Sequence, residues 1–263
     1  MTRRVIVHAD DFGLHPAINE GIEQAHRDGL VTSASLMPVG PAFDDAVRRC
    51  CTMPNLDIGL HFALVGISPF PPTLSKFLAS YATGQLPFSV ITDALRQQLD
   101  RTLAQGITLS HIDSHQHLHT LPAIMRSVCS VAAEYQIPAV RVPQDGPAFA
   151  TVSPGRRIQA AALAALAKIS RRIVTTSGLR TSDHFSGMAV SGHLTASIFT
   201  AYLSQARPGL TEIVCHPGSD NATLCNLFDW GYDWEGEAFA LCSAEAQEAA
   251  VAGDIQLVGW GSL

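Results

Sequence analysis

The segment from His111 to His119 concentrates side chains that can bind a metal ion or carry a proton. It reads HIDSHQHLH, with such a side chain at every second position. In an extended chain His111, Asp113 and His115 would share one face, whereas a helix would align His111, His115 and His119. The β-branched, alternating TLSHIDS favours a strand through His115. We therefore interpret His115 as a candidate metal ligand, with Asp113 as its outer hydrogen-bonding neighbour.

Polar residues also occur at the carboxyl ends of four other predicted strands. They are Asp10 and Asp11 after RVIVHA, His61 in DIGLHF, Arg141 in AVRVP, and His216 after TEIVC. Either aspartate alone could cap a turn, and a lone histidine in an apolar strand is more often a hydrogen-bonded core residue. Active sites of parallel α/β folds gather at the carboxyl ends of the strands, so the coincidence favours a site.

One aspartate and two histidines with an open position are the ligand set of a catalytic zinc or related divalent ion. Such an ion activates water and polarises a carbonyl group. A nearby carboxylate can then act as base and an imidazole as acid. The pair Asp10 and Asp11 could supply a base and a ligand if the strand ends there, and Phe12-Gly13 predicts a sharp turn. Zinc is our first choice of metal, with magnesium, manganese and nickel left open.

The elements that must position these residues alternate along the chain. Between RVIVHA and IQLVGW, short apolar runs typical of strands alternate with segments of helical pattern. This alternation predicts parallel strands joined by crossover helices. The length of 263 residues suits one α/β domain. Segments 66–88 and 219–236 look like loop insertions that could border a binding site. Neither GxGxxG nor GxxxxGK[ST] follows a strand, which argues against a nucleotide-binding fold.

The composition of the chain limits the classes of partner and the cellular locations that we expect. The net charge of −6 gives no electrostatic footprint for nucleic acid, so we expect none. The start of the chain does not resemble a secretion signal, which favours the cytoplasm. The longest apolar segment, RRIQAAALAALAKISRRIV, is interrupted by a lysine, so we expect no transmembrane segment; its basic ends leave a peripheral role at the inner membrane open. Oligomeric state stays open between monomer and homodimer.

HADDFG, GLHFAL, HIDSHQHLH, RVPQD and EIVCHPG together resemble successive motifs of the YdjC-like carbohydrate deacetylases. This family includes chito-oligosaccharide deacetylase and the deacetylase of hopanoid biosynthesis. The resemblance covers nearly the whole chain and implies a distorted (β/α) barrel of parallel strands. It also implies one divalent metal ion held by Asp11, His61 and His115. By the same resemblance Asp10 corresponds to the base and His216 to the acid.

The expected reaction is hydrolysis of the N-acetyl amide of an amino sugar, either in an oligosaccharide or linked to a hopanoid lipid. We assign Asp113, Arg141, His117 and Trp230 to substrate binding or to support of the ligands. Alternatives are another metal-dependent amidohydrolase, a phosphoesterase, or a non-catalytic metal-dependent sugar-binding protein. A phosphoesterase would need several cations near the motifs, and only Arg141 is in place.

Overall fold

The computed structural model describes residues 2–144 and 154–262, and between 154 and 164 it describes the backbone alone. The strands are β1 (Arg3–Phe12), β2 (Ser33–Leu36), β3 (Asp57–Phe62), β4 (His111–Ser114), β5 (Ala139–Val140), β6 (His184–Ser186), β7 (Gly209–Cys215) and β8 (Ile255–Leu257). The helices are α1 (Pro16–Arg27), α2 (Phe43–Cys50), α3 (Leu74–Ala82), α4 (Phe88–Leu103), α5 (Pro122–Glu134), α6 (Pro154–Thr176), α7 (Ala196–Ser204), α8 (Asn221–Leu227), α9 (Trp234–Cys242) and α10 (Ala244–Ala252).

The strands form one curled parallel sheet in the order β5-β4-β3-β2-β1-β7-β6, and β8 pairs with the start of β1. A parallel bridge joins Ala139 of β5 to Arg180, a few residues before β6, so the two sides of the sheet approach each other. The result is a half-barrel surrounded by helices in a single α/β domain. This confirms the expected distorted barrel of parallel strands.

Burial explains why these segments are strands and helices. The last eight residues of β1 are buried, as expected for a central strand covered on both faces. Helix α1 begins with Pro16 after the cap residue His15, whose ring accepts a hydrogen bond from the N–H of Ala17. Its buried side includes Ile18 and Ile22, one helical turn apart. The apolar side of α1 therefore packs into the core of the half-barrel.

Both predicted insertions contain helices that the sequence pattern did not indicate. Segment 66–88 contains α3, and segment 219–236 contains α8 and the start of α9. The short strand β6 was also not predicted. The two insertions lie next to the carboxyl ends of the strands, because residues of α3 and of the α8–α9 connection line the cleft described below.

Candidate active site

Asp10 and Asp11 reach the same rim because the backbone of β1 is irregular at Asp11. The pairing of β1 with β2 shifts register between Ala9 and Phe12, and Asp11 is left-handed with φ of 66°. A left-handed residue interrupts the alternation of side chains along a strand, and aspartate tolerates this conformation better than most residues. The predicted turn at Phe12-Gly13 is confirmed, because the N–H of Leu14 donates to the carbonyl oxygen of Asp11 at 3.0 Å and Gly13 has φ of 108°. The strand continues through Phe12, and the irregularity lies at Asp11 itself.

Asp11, His61 and His115 form a cluster with the chemistry of a metal site. The Oδ1 atom of Asp11 lies 3.2 Å from Nε2 of His61 and 2.9 Å from Nδ1 of His115. One ligand atom from each residue lies within 4.8 Å of the others. The two imidazole rings meet edge to face, with centroids 5.6 Å apart. A carboxylate and two imidazoles suit zinc and related divalent ions, so the residues fit the metal that the sequence predicted.

Two other groups of side chains in the described residues have similar spacing, namely His8 with His111 and Asp113, and Asp10 with His61 and Asp113. Both contain a carboxylate already paired with Arg141. The Nη2 atom of that arginine lies 2.8 Å from Oδ2 of Asp113 and 2.9 Å from Oδ1 of Asp10. A guanidinium ion at this distance repels a second cation. The cluster around Asp11 is therefore the best candidate metal centre.

Asp113 orients His61, not His115 as the sequence suggested. The Nδ1 atom of His61 lies 2.8 Å from Oδ1 of Asp113 and 3.0 Å from Oγ of Ser35. A hydrogen bond at Nδ1 fixes the ring and leaves Nε2 available as a ligand atom. Burial lowers the pKa of His61, but the carboxylates of Asp113 and Asp10 raise it to about 10. This part of the site therefore favours positive charge.

The chain leaves the strand one residue earlier than predicted. β4 ends at Ser114, and His115 begins a 3-10 segment in which Gln116 and His117 are left-handed, with φ of 56° and 55°. The expectation of an extended chain through His115 is therefore wrong. The turn brings His115 to the rim beside Asp11, whereas continued alternation would have set it in line with His111 and Asp113.

Arg141 is completely buried and binds three carboxylates at once. Its Nε donates to Oε1 of Glu212 at 2.7 Å, and its Nη1 donates to Oδ2 of Asp10 at 3.0 Å. Its Nη2 contacts Asp113 and Asp10 at the distances given above. Burial raises the pKa of Asp10, but Arg141 reverses this and the net shift is downward. Arg141 lies outside the cleft lining and holds Asp10 as an anion.

His216 stands next to Asp10 at the end of β7. Its Nε2 lies 3.8 Å from Oδ2 of Asp10, and its ring packs edge to face on Tyr232 with centroids 5.2 Å apart. Its backbone N–H donates to Oε2 of Glu237 at 2.5 Å. Glu237 and Glu212 were not predicted as site residues. Glu237 lies outside the motifs, whereas Glu212 opens the EIVCHPG motif and stands in a strand of otherwise mostly apolar residues, which was a usable signal.

A second polar layer lies below the site inside the half-barrel. His8 contacts Ser33 through Nδ1 at 3.0 Å and Ser35 through Nε2 at 3.2 Å. His111 stacks on Trp260 with centroids 4.9 Å apart, and burial keeps its pKa well below the usual range. Gly59 makes room for this ring, because a Cβ there would lie 2.3 Å from it. His8 precedes Asp10 by two residues, and His111 precedes Asp113 by two residues. Because residues two apart in a strand lie on the same face, this spacing could have predicted the layer.

The remaining histidines of the HIDSHQHLH segment have different environments. His119 is buried, with Nδ1 2.6 Å from Oγ of Ser114 and Nε2 3.0 Å from the carbonyl oxygen of Arg141. It therefore supports the turn and the end of β5. His117 lines the cleft and packs edge to face on Phe185. Burial lowers its pKa to about 3, so His117 faces the cleft as a neutral ring.

A cleft of about 580 Å³ opens above these residues. Trp230 and Tyr232 stand on one side, and the Trp230 ring centroid lies 5.6 Å from that of His115. Trp234 is fully buried and is not available to a ligand. Leucine and methionine side chains line much of the rest of the cleft: Leu74, Leu78, Leu118, Leu121, Leu166 and Met188. The cleft therefore has a polar base, an aromatic wall and an apolar extension.

A parallel half-barrel with a carboxylate and histidine cluster, a second buried carboxylate and a neighbouring imidazole at the carboxyl ends of its strands is typical of metal-dependent hydrolases. The chain belongs to the YdjC-like protein family, whose profile matches residues 4–251. The family that the motifs suggested is thus confirmed.

Curated relatives of the chain are deacetylases. The carbohydrate deacetylase of Brevibacillus brevis is 33% identical over 99% of both chains. The chitooligosaccharide deacetylase of Citrobacter koseri is 31% identical over 82% of each. Among solved structures, a protein of Enterococcus faecalis assigned to cellobiose-phosphate cleavage covers 100% of this chain with a TM-score of 0.79 and 22% identity. At that identity the likeness shows the fold alone.

Proposed function

We propose that this protein is a metal-dependent deacetylase that hydrolyses the N-acetyl amide of an amino sugar. One observation carries the proposal: a ligand cluster, an ionised carboxylate and an imidazole converge at one cleft. The ligands would be Asp11, His61 and His115, and a divalent cation bound there supplies Lewis-acid catalysis of amide hydrolysis. The deacetylase names of the relatives support the same reaction and the sugar substrate.

The acid and base steps follow from the positions of Asp10 and His216. Asp10 accepts a proton from the water that attacks the acetyl carbon, because Arg141 keeps its carboxylate ionised. His216 donates a proton to the sugar nitrogen as the C–N bond breaks, which releases a free amine and acetate. The proton on Asp10 then returns to His216 to complete the cycle; because Oδ2 and Nε2 are 3.8 Å apart, this transfer needs a closer approach of the two side chains or one bridging water.

Phosphoester hydrolysis fits this cleft less well. Catalysis on a phosphate group normally uses arginine or lysine side chains that face the substrate. Within the part of the chain that the structure describes, the cleft lining includes neither residue type. Arg141 is buried and already faces the carboxylates of Asp10, Asp113 and Glu212.

Zinc is the metal we propose first, because two of the three ligands are imidazoles. Magnesium, manganese and nickel are the competing assignments. The test is acetate release from N-acetylglucosamine oligomers by protein stripped with a chelator and then reloaded with each ion. We expect no acetate from stripped protein and recovery with one ion above the others. Stoichiometric metal binding without acetate release from any N-acetyl sugar would instead support a non-catalytic sugar-binding protein.

We further propose that the substrate carries an apolar group, such as a hopanoid lipid, next to the sugar. Leu74 and Leu78 of α3 line the cleft and remain 38% and 39% exposed. Exposed leucines beside a sugar site cost free energy unless a ligand covers them, at about 25 cal/mol per Å² of apolar surface. Changing both leucines to serine should raise KM for a lipid-linked substrate and leave KM for a free oligosaccharide unchanged.

The proposed location follows from this substrate. No helix among the described residues is long and apolar enough to cross a membrane. We propose a cytoplasmic protein that meets its lipid-linked substrate at the inner membrane. Binding to vesicles that contain the substrate lipid, but not to plain vesicles, would support this location. A homodimer remains a prediction that sedimentation would test.

A further inference from the structure

Glu237 is a buried carboxylate that connects the loop carrying His216 to a second loop beside the cleft. It lies on α9 and is 1% exposed. Its Oε2 accepts the backbone N–H of His216 at 2.5 Å, and its Oε1 accepts the N–H of Leu194 at 3.1 Å. The N–H of Gly192 also donates to this carboxylate. A single side chain therefore fixes the end of β7 against the segment before α7.

The same carboxylate also lies behind the imidazole of His216. Oε2 of Glu237 lies 4.0 Å from Nδ1 of His216. The other ring nitrogen, Nε2, is the one that approaches Asp10. Nδ1 is buried and has no hydrogen-bond partner among the residues that the structure describes. An unpartnered buried nitrogen is unfavourable, and a small rotation of the ring would bring it into hydrogen-bond range of Glu237.

We propose that Glu237 is the positioning residue of the proton donor His216. It accepts a hydrogen bond from Nδ1–H and thereby directs Nε2–H toward the leaving nitrogen. This inference rests on the proposed deacetylase function.

The proton balance is simple. During C–N cleavage the Nε2 proton moves to the sugar nitrogen, while the Nδ1 proton stays on the ring, hydrogen-bonded to Glu237. The ring therefore changes from imidazolium to the neutral Nδ1–H tautomer, and the carboxylate stabilises the imidazolium before transfer, as an orienting carboxylate does for other catalytic histidines. Glu237 itself exchanges no proton and touches no substrate.

The test compares Glu237→Gln with a matched control on the same helix. Asp233→Asn is the control, because Asp233 caps α9 and makes no contact with His216. Each variant is loaded with metal, and kcat and KM are measured for an N-acetyl amino sugar and for 4-nitrophenyl acetate. The ester has a leaving group that needs no proton, so it separates proton donation from loop placement.

We expect Glu237→Gln to lower kcat for the amide by about 10-fold to 100-fold, less than the full effect of about 100-fold to 10,000-fold for acid catalysis, because the proton donor His216 remains. KM, metal content and ester kcat should change little. The control should affect amide and ester equally. In a His216→Ala background, Glu237→Gln should have no further effect on the amide, because two residues that act as a unit are not additive. Equal loss on amide and ester, or additive loss in the double variant, would overturn the proposal.

Two further measurements apply if Glu237→Gln does not fold. Glu237→Asp keeps the charge but withdraws it by one methylene, and should give a smaller loss confined to the amide. Nitrogen-15 NMR of histidine-labelled wild-type protein, with His216→Ala for assignment, reports the tautomer directly. A neutral His216 with its proton on Nε2 would refute the inference. This reading needs no turnover, so an inactive wild type would refute the deacetylase function without deciding the role of Glu237.

Discussion

Replacing Asp10 by asparagine tests the proposed mechanism most directly. Asparagine has the size of aspartate, but its amide cannot accept a proton from water. The three proposed ligands Asp11, His61 and His115 are unchanged, so metal content should stay near that of the wild type. We expect kcat to fall by about 100-fold or more, the usual scale for loss of a general base. That corresponds to about 2.7 kcal/mol of transition-state stabilisation.

The structure also sets the cost in stability. Arg141 loses one of its three carboxylates but keeps Asp113 and Glu212, so its charge is not stranded. Loss of a hydrogen bond to a charged group lowers the free energy of unfolding by about 1.5–3 kcal/mol, whereas leaving a buried charge without any partner lowers it by about 3–5 kcal/mol. For a domain of this size the melting temperature should fall by about 3–12 °C. The variant should therefore remain folded at assay temperature.

Acetate release, bound metal and thermal melting would be measured on the same preparations. Asp183→Asn is the control, because Asp183 accepts a hydrogen bond from the N–H of Leu210, outside the cleft lining. Loss of metal from Asp10→Asn would mean that Asp10 is a ligand, and the roles of Asp10 and Asp11 would be exchanged. Full activity would refute the mechanism.

Three other predictions concern the metal and the cleft. His61→Ala and His115→Ala should each lose most of the bound divalent metal, measured by elemental analysis, while circular dichroism stays unchanged; metal retained in both would exclude the proposed site. Binding of a cation near pH 7.5 should release a proton from His61, because its folded pKa of about 10 exceeds its ordinary value of 6.5 and a ligand ring must be neutral. The charged ring stabilises the cation-free fold fully below pH 6.5 and loses this contribution as pH rises through about 10, so the affinity for the cation should increase with pH. Calorimetry in buffers of different ionisation enthalpy measures the number of protons released. Cation binding without proton release would contradict the assignment of His61 as a ligand. Removal of residues 226–234 should raise KM for the sugar at least several-fold by deleting Trp230, and unchanged kinetics would show that this segment does not contact substrate.

Much of the fold was readable from the sequence because its central strands are apolar and its helices are amphipathic. β1, β3 and β7 each have an apolar run that ends in a polar residue, so position and direction were both predictable. The elements that the sequence did not predict are short or have an atypical pattern. β6 has only three residues, His184–Ser186, and its pairing with β7 depends on the sheet as a whole. Helix α9 has almost equal apolar character on all sides, so its period gave little signal.

The candidate site was predictable as a set of strand ends but not as a network. The sequence could not show that Asp113 bonds to His61, because the two residues are 52 positions apart and face each other only through the parallel pairing of β3 with β4. Nor could it place Glu237 next to His216, since the contact depends on how α9 packs against the end of β7. Long-range pairs of this kind are set by topology and not by local pattern.

The different roles proposed for Asp10 and Asp11 illustrate this point. Identical residues with almost identical local sequence acquire opposite surroundings because one residue, Asp11, adopts a left-handed conformation. Asp10 keeps the strand alternation and faces the interior, where Arg141 neutralises it and would disfavour a cation beside it. Asp11 is displaced from that alternation and faces the imidazoles of His61 and His115, with no arginine contact among the described ion pairs. A base and a ligand can therefore follow one another in the chain only because the backbone between them is irregular.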